Sequence, residues 1–299
     1  SSVCVLQTSS LINAKIMKKT IHLFSSLLQP ISSSFNDFSK NILRKFLLKN
    51  TFPKNKTIAK IIFIIFALFP FYLSAETAEE KGLRIAKASY ENGRGFTDMV
   101  SDQLMILIDP KGNEVTREVS GKTLENLDPN DGDKSLTYFK TPKDVEGTVM
   151  LSHTHISDDD DQWLYLPALG RVKRISSSNK SGAFMGSEVA FEDFSGTDYR
   201  KYEWKFLGEE MENNETFYKL ESYPNYENSG YSKRISLIDN LNRTYKVDFY
   251  DRKGELLKTL YLEDYVLYKD KIWMANTMKV ENIQNKNITI FKWLNRELD

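Results

Sequence analysis

Between residues 103 and 293 the sequence keeps returning to one pattern. A short run rich in Val, Ile, Tyr, Phe, Trp and Thr is closed by Gly, Asn, Asp or Pro. β-Branched and aromatic side chains fit a pleated, half-buried surface, and the closing residues supply the backbone angles of turns. The runs fall at 103–108, 114–120, 135–140, 148–155, 163–166, 172–176, 202–210, 216–222, 234–238, 244–250, 256–268, 272–281 and 288–293. Asp109-Pro110-Lys111-Gly112-Asn113, Asp131-Gly132-Asp133 and Asp251-Arg252-Lys253-Gly254 each suit a tight reversal. So many meandering strands predict a mainly β (α+β) fold, a strongly curved antiparallel sheet or incomplete barrel. There is no βαβ alternation, Walker A pattern, G-x-G-x-x-G or fixed-period repeat, which argues against nucleotide-binding α/β folds, propellers and solenoids.

Two helices are expected beside the strands. In 77–91, Ala78, Leu83, Ala86 and Tyr90 recur near helical spacing and acids crowd the first turn, so an amphipathic helix ends near Asn92-Gly93. A shorter one is expected over 187–194, with Ser187 as N-cap, Glu188 in the first turn and Val189, Phe191 and Phe194 as its apolar surface. Gly182 and Gly186 before it and Gly196 after it would let it hinge.

The charges divide the chain. Residues 1–75 hold ten Lys/Arg and one acid, Asp37, leaving 31 basic and 40 acidic residues in 76–299, a net charge of −9. An acidic body argues against non-specific nucleic-acid binding. The run Ile61 to Leu73 is thirteen residues of near-continuous apolar character, preceded by Lys54, Lys56 and Lys60 and followed by Ser74-Ala75. It is too short to span a bilayer, which takes roughly 20 residues, and it has the three parts of a secretory signal. We therefore read 54–75 as a signal peptide cleaved after Ala75, 1–53 as a non-native or disordered extension, and 76–299 as a single domain. The only cysteine, Cys4, lies in the first part, so the domain has no disulfide, Cys-based zinc site or thiol nucleophile.

Motifs for chemistry are sparse. His153 and His155 share one face of a strand and have the acidic run Asp158 to Asp161 close by. A metal-dependent hydrolase would need both imidazoles and an acid in one cleft; the ordinary reading is a wet strand end and a solvated acidic turn. No Ser-His-acid arrangement or G-x-S-x-G is present. The sequence assigns no catalytic residue, no metal and no cofactor. Its densest apolar feature is Trp163-Leu164-Tyr165-Leu166-Pro167-Ala168-Leu169, followed by Arg171-Val172-Lys173-Arg174-Ile175 and Ala183-Phe184-Met185-Gly186. Trp163 and Tyr165 share one strand face, Leu164 and Leu166 the other, so both faces are apolar. A curved sheet with apolar walls and a hinged helix suits a lipid pocket.

The run from Asp160 to Ile175 closely resembles the signature of bacterial outer-membrane lipoprotein-sorting-like proteins. Phe184-Met185-Gly186-Ser187-Glu188-Val189 and Phe191-Glu192-Asp193 continue the likeness. Val247-Asp248-Phe249-Tyr250-Asp251, the run from Lys253 to Leu260, and Ile272-Trp273 extend it more weakly. This family resembles the periplasmic carriers LolA and LolB. The resemblance implies an unclosed antiparallel β-barrel around an apolar cavity under short lid helices, and non-covalent carriage of acyl chains toward the outer membrane. It also implies an RND-type lipid exporter as a candidate partner. One departure is the C-terminus: the family runs on past the position of Trp293 into another short strand, whereas this chain has the charged run Asn295-Arg296-Glu297-Leu298-Asp299.

The expected function is therefore a monomeric periplasmic carrier of lipid or lipoprotein acyl chains. The alternatives are an exporter accessory protein without its own cargo and, second, the metal-dependent hydrolase. Expected cavity residues are Trp163, Tyr165, Leu166, Phe184, Met185 and Phe191, with Trp204 behind them. Gly182, Gly186, Phe194 and Gly196 would belong to the lid. Arg171, Lys173 and Arg174 would meet anionic headgroups or an acidic partner. On this reading Asp at positions 184 and 185 abolishes lipid uptake.

Overall fold

The computed structural model describes residues 76–126, 128, 131–195 and 198–299. The extension 1–53, the signal segment with its cleavage point after Ala75, and Gly196 lie outside them. No described helix is long and apolar enough to cross a membrane.

All thirteen expected runs form strands: β1 (Asp98–Ile108), β2 (Glu114–Leu124), β3 (Asp131–Thr141), β4 (Val149–His155), β5 (Asp161–Leu166), β6 (Arg171–Arg174), β7 (Tyr202–Glu212), β8 (Glu215–Pro224), β9 (Tyr231–Ile238), β10 (Thr244–Asp251), β11 (Leu256–Tyr268), β12 (Ile272–Asn282) and β13 (Ile288–Leu298). They make one sheet in the order β6-β5-β4-β3-β2-β1-β13-β12-β11-β10-β9-β8-β7. Two meanders of sequential hairpins are thus joined by one distant pairing, with Leu107 opposite Thr289 and Val100 opposite Glu297. β6 and β7 are left as edges, so the sheet does not close into a barrel. The charged residues after Trp293 are not an edge. They continue β13 at the middle of the sheet, where Met99 pairs with Leu298 and Arg296 donates to the Ala275 carbonyl at 2.7 Å.

The curvature follows from two hydrogen bonds. Gln162 of β5 donates to the Phe191 carbonyl and Lys258 of β11 donates to the Glu188 carbonyl, each at 2.8 Å. Seven strand spacings separate β5 from β11, roughly 34 Å in a flat sheet. Three residues of chain reach at most about 10 Å, and the two side chains do not make up the difference. The sheet must therefore curl around the segment 182–191.

The N-terminal helix, α1 (Ala78–Asn92), starts at a capping box. Thr77 Oγ1 accepts from the Glu80 amide, and the Glu80 carboxylate accepts from the Thr77 amide. Its buried residues Ile85 and Ala86 pack on Leu220 and Ile238, with Trp204 and Phe206 beside them. Gly82 permits the close approach: a Cβ there would lie 2.8 Å from the Lys205 carbonyl carbon and the Phe206 nitrogen. Gly82→Ala is expected to cost about 1–3 kcal/mol through this overpacking, despite the roughly 1 kcal/mol gain in helix propensity. Urea unfolding checks it; a variant as stable as the parent would mean that α1 does not need this approach to β7.

Two local expectations change. Asp131-Gly132-Asp133 opens β3 instead of forming a turn, and a Cβ on Gly132 would lie within 2.6–2.7 Å of Thr154. The glycine serves close packing. The helix expected at 187–194 is two 3₁₀ turns, Phe184–Gly186 and Phe191–Phe194, around extended residues. Ser187 caps no helix, because its hydroxyl donates to the Phe184 carbonyl at 2.7 Å, a local bond that competes with helix formation.

Candidate functional site

Residues in register on neighbouring strands point to the same side of a sheet. On the inner side Leu164 pairs with Met150, and Met105, Val119, Phe139, Val280 and Phe291 extend the same buried apolar wall. The segment 175–195 fills the space they enclose. Its Ile175, Phe184, Val189 and Phe191 join that cluster, with Leu166, Met185 and Phe194 packed against it. Phe184 is fully buried, its ring centroid 5.8 Å from Phe139, 5.7 Å from Phe191 and 4.7 Å from Phe194. These edge-on and tilted contacts are favourable aromatic geometries. Met185 has φ 50° and Gly186 φ 73°, so the tip of the segment turns through left-handed backbone, which is strained at Met185.

The segment is apolar toward the wall and polar at its rim. Arg117 Nη1 donates to the Met185 carbonyl at 2.7 Å, and the Glu188 amide donates to Thr289 Oγ1 at 3.0 Å. Asn282 and Asn287 donate to the Glu188 carboxylate at 2.6 and 3.0 Å. Lys258 Nζ reaches Asp193 Oδ2 at 2.6 Å, and Tyr231 donates to the other Asp193 oxygen at 2.8 Å. Burial, with Asp193 and Glu192 close by, pushes Tyr231 well above the usual phenol range, so it remains a donor. Glu192 is itself buried and accepts from Tyr226, Ser229 and the Gly230 amide at 2.7–3.0 Å. The open space beside this rim is a cleft of about 420 Å³ whose lining includes Ser181, Glu188, Tyr231, Lys253, Lys258 and Asn282. Its lining is mixed, since Ala183, Val189, Ala190 and Leu257 also contribute; the concavity of the sheet itself is occupied by the segment.

The sequence-derived site residues thus separate. Leu166, Phe184, Met185, Phe191 and Phe194 come together. Trp163 and Tyr165 lie on the opposite face of β5, paired with Leu151 and Val149. Trp204 belongs to the cluster under α1, with Nε1 donating to the Tyr199 carbonyl at 2.8 Å. Gly182 and Gly186 are exposed at the segment. Arg171, Lys173 and Arg174 are exposed on edge strand β6; the first two share the face of Leu166 and Leu164, whereas Arg174 sits beside Trp163 and pairs with Asp161.

The acidic run is divided among local partners: Asp159 with Lys180 and Ser177, Asp160 with Lys201, Asp161 with Arg174. Two of these ties hold the ends of the 175–201 stretch. His153 and His155 both meet Asp131 of β3, and His155 also meets Asp161 of the acidic run. Sequence reasoning missed Asp131, Arg117, Gln162, Asp193 and Lys258, because only strand register and the path of the segment bring them to their partners.

A family profile described as "Uncharacterized protein" matches residues 131–299. No curated protein matches the chain. Among solved structures, an outer membrane lipoprotein-sorting protein domain from Vibrio parahaemolyticus is 45% identical, with a TM-score of 0.71 over 74% of this chain and 93% of that one. A DUF1329 family protein from Desulfovibrio piger is 29% identical, with a TM-score of 0.70 over 75% and 94% of the two chains. A LolA superfamily protein from Nitrosomonas europaea, 19% identical, shares the fold at a TM-score of 0.59 over 75% and 94%. With an unclosed antiparallel sheet curled around an apolar segment that has the fold of the LolA superfamily protein, and with 45% identity over most of its described length, the chain belongs to the family of outer membrane lipoprotein-sorting protein domains.

Proposed function

We propose that this protein is an exported, periplasmic carrier that holds the acyl chains of lipids or lipoproteins non-covalently, with the 175–195 segment as its lid. One observation carries the reading: an apolar concavity filled by a segment that supplies its own Phe184 and Phe191 and is fastened to the rim by polar contacts. Such a segment can be exchanged for an acyl chain. Each buried methylene contributes roughly 0.8 kcal/mol, and apolar wall is re-covered as the phenyl rings leave. Phe184 is then the group that cargo displaces, and Met105, Phe139, Met150 and Leu164 are the surface on which cargo rests. On this account a polar residue at 184 promotes opening, the reverse of what a wall position would do.

The reading includes cleavage after Ala75, a monomer, no catalytic role, and delivery beside an RND-type exporter. The exposed strand β6, with Arg171, Lys173 and Arg174 flanking Val172, is its contact for headgroups or that partner. An accessory protein without cargo is the second reading, favoured by the fact that the concavity is already filled. Native mass spectrometry of the exported protein, purified without detergent, separates the two. A discrete added mass that organic solvent removes, and that fragments as a phospholipid or acylated peptide, is expected. A bare polypeptide that also takes up no added phospholipid would sink the carrier reading in favour of the accessory one.

A further inference from the structure

We propose that Asp131, His153 and His155 form a binding site for one divalent transition-metal ion of the zinc class, on the outer side of the sheet and separate from the acyl-carrying concavity. His153 and His155 are two residues apart on β4 and share its outer face, opposite the buried Met150, Ser152 and Thr154. Asp131 is the register partner of His155 across β3. Asp131 Oδ2 lies 2.8 Å from His153 Nε2, and Oδ1 lies 2.9 Å from His155 Nδ1. The two rings are 4.1 Å apart, and one ligand atom from each residue falls within 4.8 Å of the others. A tetrahedral ion with bonds near 2.0–2.1 Å asks for ligand spacings of about 3.3 Å, which side-chain rotation on these fixed strands supplies.

The hydrogen bonding points to a cation. His155 presents both ring nitrogens to carboxylates, Nδ1 to Asp131 and Nε2 to Asp161 Oδ2 at 3.3 Å. A doubly protonated ring would donate to both carboxylates; a neutral imidazole has one N–H, so without a second proton one nitrogen lone pair faces a carboxylate oxygen. An ion between Nδ1 and Asp131 satisfies that pair. Nε2–H then donates to Asp161, the carboxylate–histidine arrangement that orients metal-bound imidazoles. Asp161 is held in turn by Arg174, and Asp131 accepts from the Gly132 amide and Asn126 Nδ2 at 3.0 and 3.1 Å. Three protein ligands from strands, all only partly buried, leave a fourth position to water.

The test is competition of the purified protein against a chromophoric zinc indicator, together with the visible spectrum of the cobalt(II)-loaded protein. One equivalent of zinc and the intense bands of tetrahedral cobalt are expected. Asp131→Asn and His153→Gln should each weaken binding at least about tenfold, and Asp161→Asn about 10–100-fold. The His153→Gln/His155→Gln double variant should bind none, while its uptake of a fluorescent fatty acid stays at the parental level. Near-ultraviolet circular dichroism verifies that each variant is folded. The proposal is overturned if the parent takes up no zinc, if its cobalt spectrum is octahedral, or if stoichiometric binding persists in the folded double variant. Loss of fatty-acid uptake alone would count against the separation from the concavity.

Discussion

Phe184→Ala is expected to weaken the closed form by about 3–5 kcal/mol and, at the same time, to tighten the binding of an acyl probe. The loss follows from the burial of a complete aromatic ring against Phe139, Phe191 and Phe194, whose removal leaves a cavity that neighbours fill only partly. Where that loss is felt decides the role of the segment. If 175–195 opens as a unit while the sheet stays folded, the change falls on the opening equilibrium. The apparent dissociation constant is the intrinsic one divided by the open fraction. A closed form weakened by 3–5 kcal/mol then gives a gain of about 150- to 5,000-fold in probe affinity, until opening is complete. Hydrogen exchange at 182–191 should accelerate by a similar factor, while amides of β1 and β13 keep their protection. A variant whose whole fold melts earlier, whose 182–191 amides exchange no faster relative to the sheet, and whose probe affinity is unchanged would make the segment permanent core instead of a lid.

The strands were legible because each hairpin carries its own signal. β-Branched and aromatic runs such as 244–250 and 256–268 are bounded by turns like Asp251 to Gly254, and almost all neighbours in the sheet are neighbours in sequence. The join between β1 and β13 was not legible, because nothing in the charged residues after Trp293 announces a partner almost two hundred residues away. Nor was the placement of the apolar cluster. Alternation separated Trp163 and Tyr165 from Leu164 and Leu166, but could not say which pair faces the concavity; Met150, opposite Leu164, settles the geometry. Trp204 is a half-buried aromatic, but its neighbours are those of the cluster under α1 and not of the concavity. The rim was invisible for a different reason. Lys258 reads as an ordinary solvated strand lysine, and only the path of a segment about seventy residues earlier buries it.

Lys258→Met should be the most disruptive single change at that rim. The ammonium is almost fully withdrawn from water, donates to the Glu188 carbonyl and the Asp193 carboxylate, and lies 5.0–5.1 Å from the Phe249 and Tyr231 rings. Methionine keeps the length and the apolar stem but removes the charge, which leaves Asp193 with the Tyr231 hydroxyl and the Ala190 amide as partners. Removing one member of a buried pair costs about 3–5 kcal/mol, because the remaining charge stays desolvated. Replacing both members by neutral groups costs much less. The Lys258→Met/Asp193→Asn double variant should therefore recover most of the loss, and the double-mutant cycle should show a coupling of about 2 kcal/mol or more. Because the pair joins β11 to the segment, the single variant should also lose exchange protection at 188–193 before any strand does. A cost below about 1 kcal/mol, the range of exposed ion pairs, would mean that water already reaches Asp193 and that the segment is held by Phe184 and its neighbours alone.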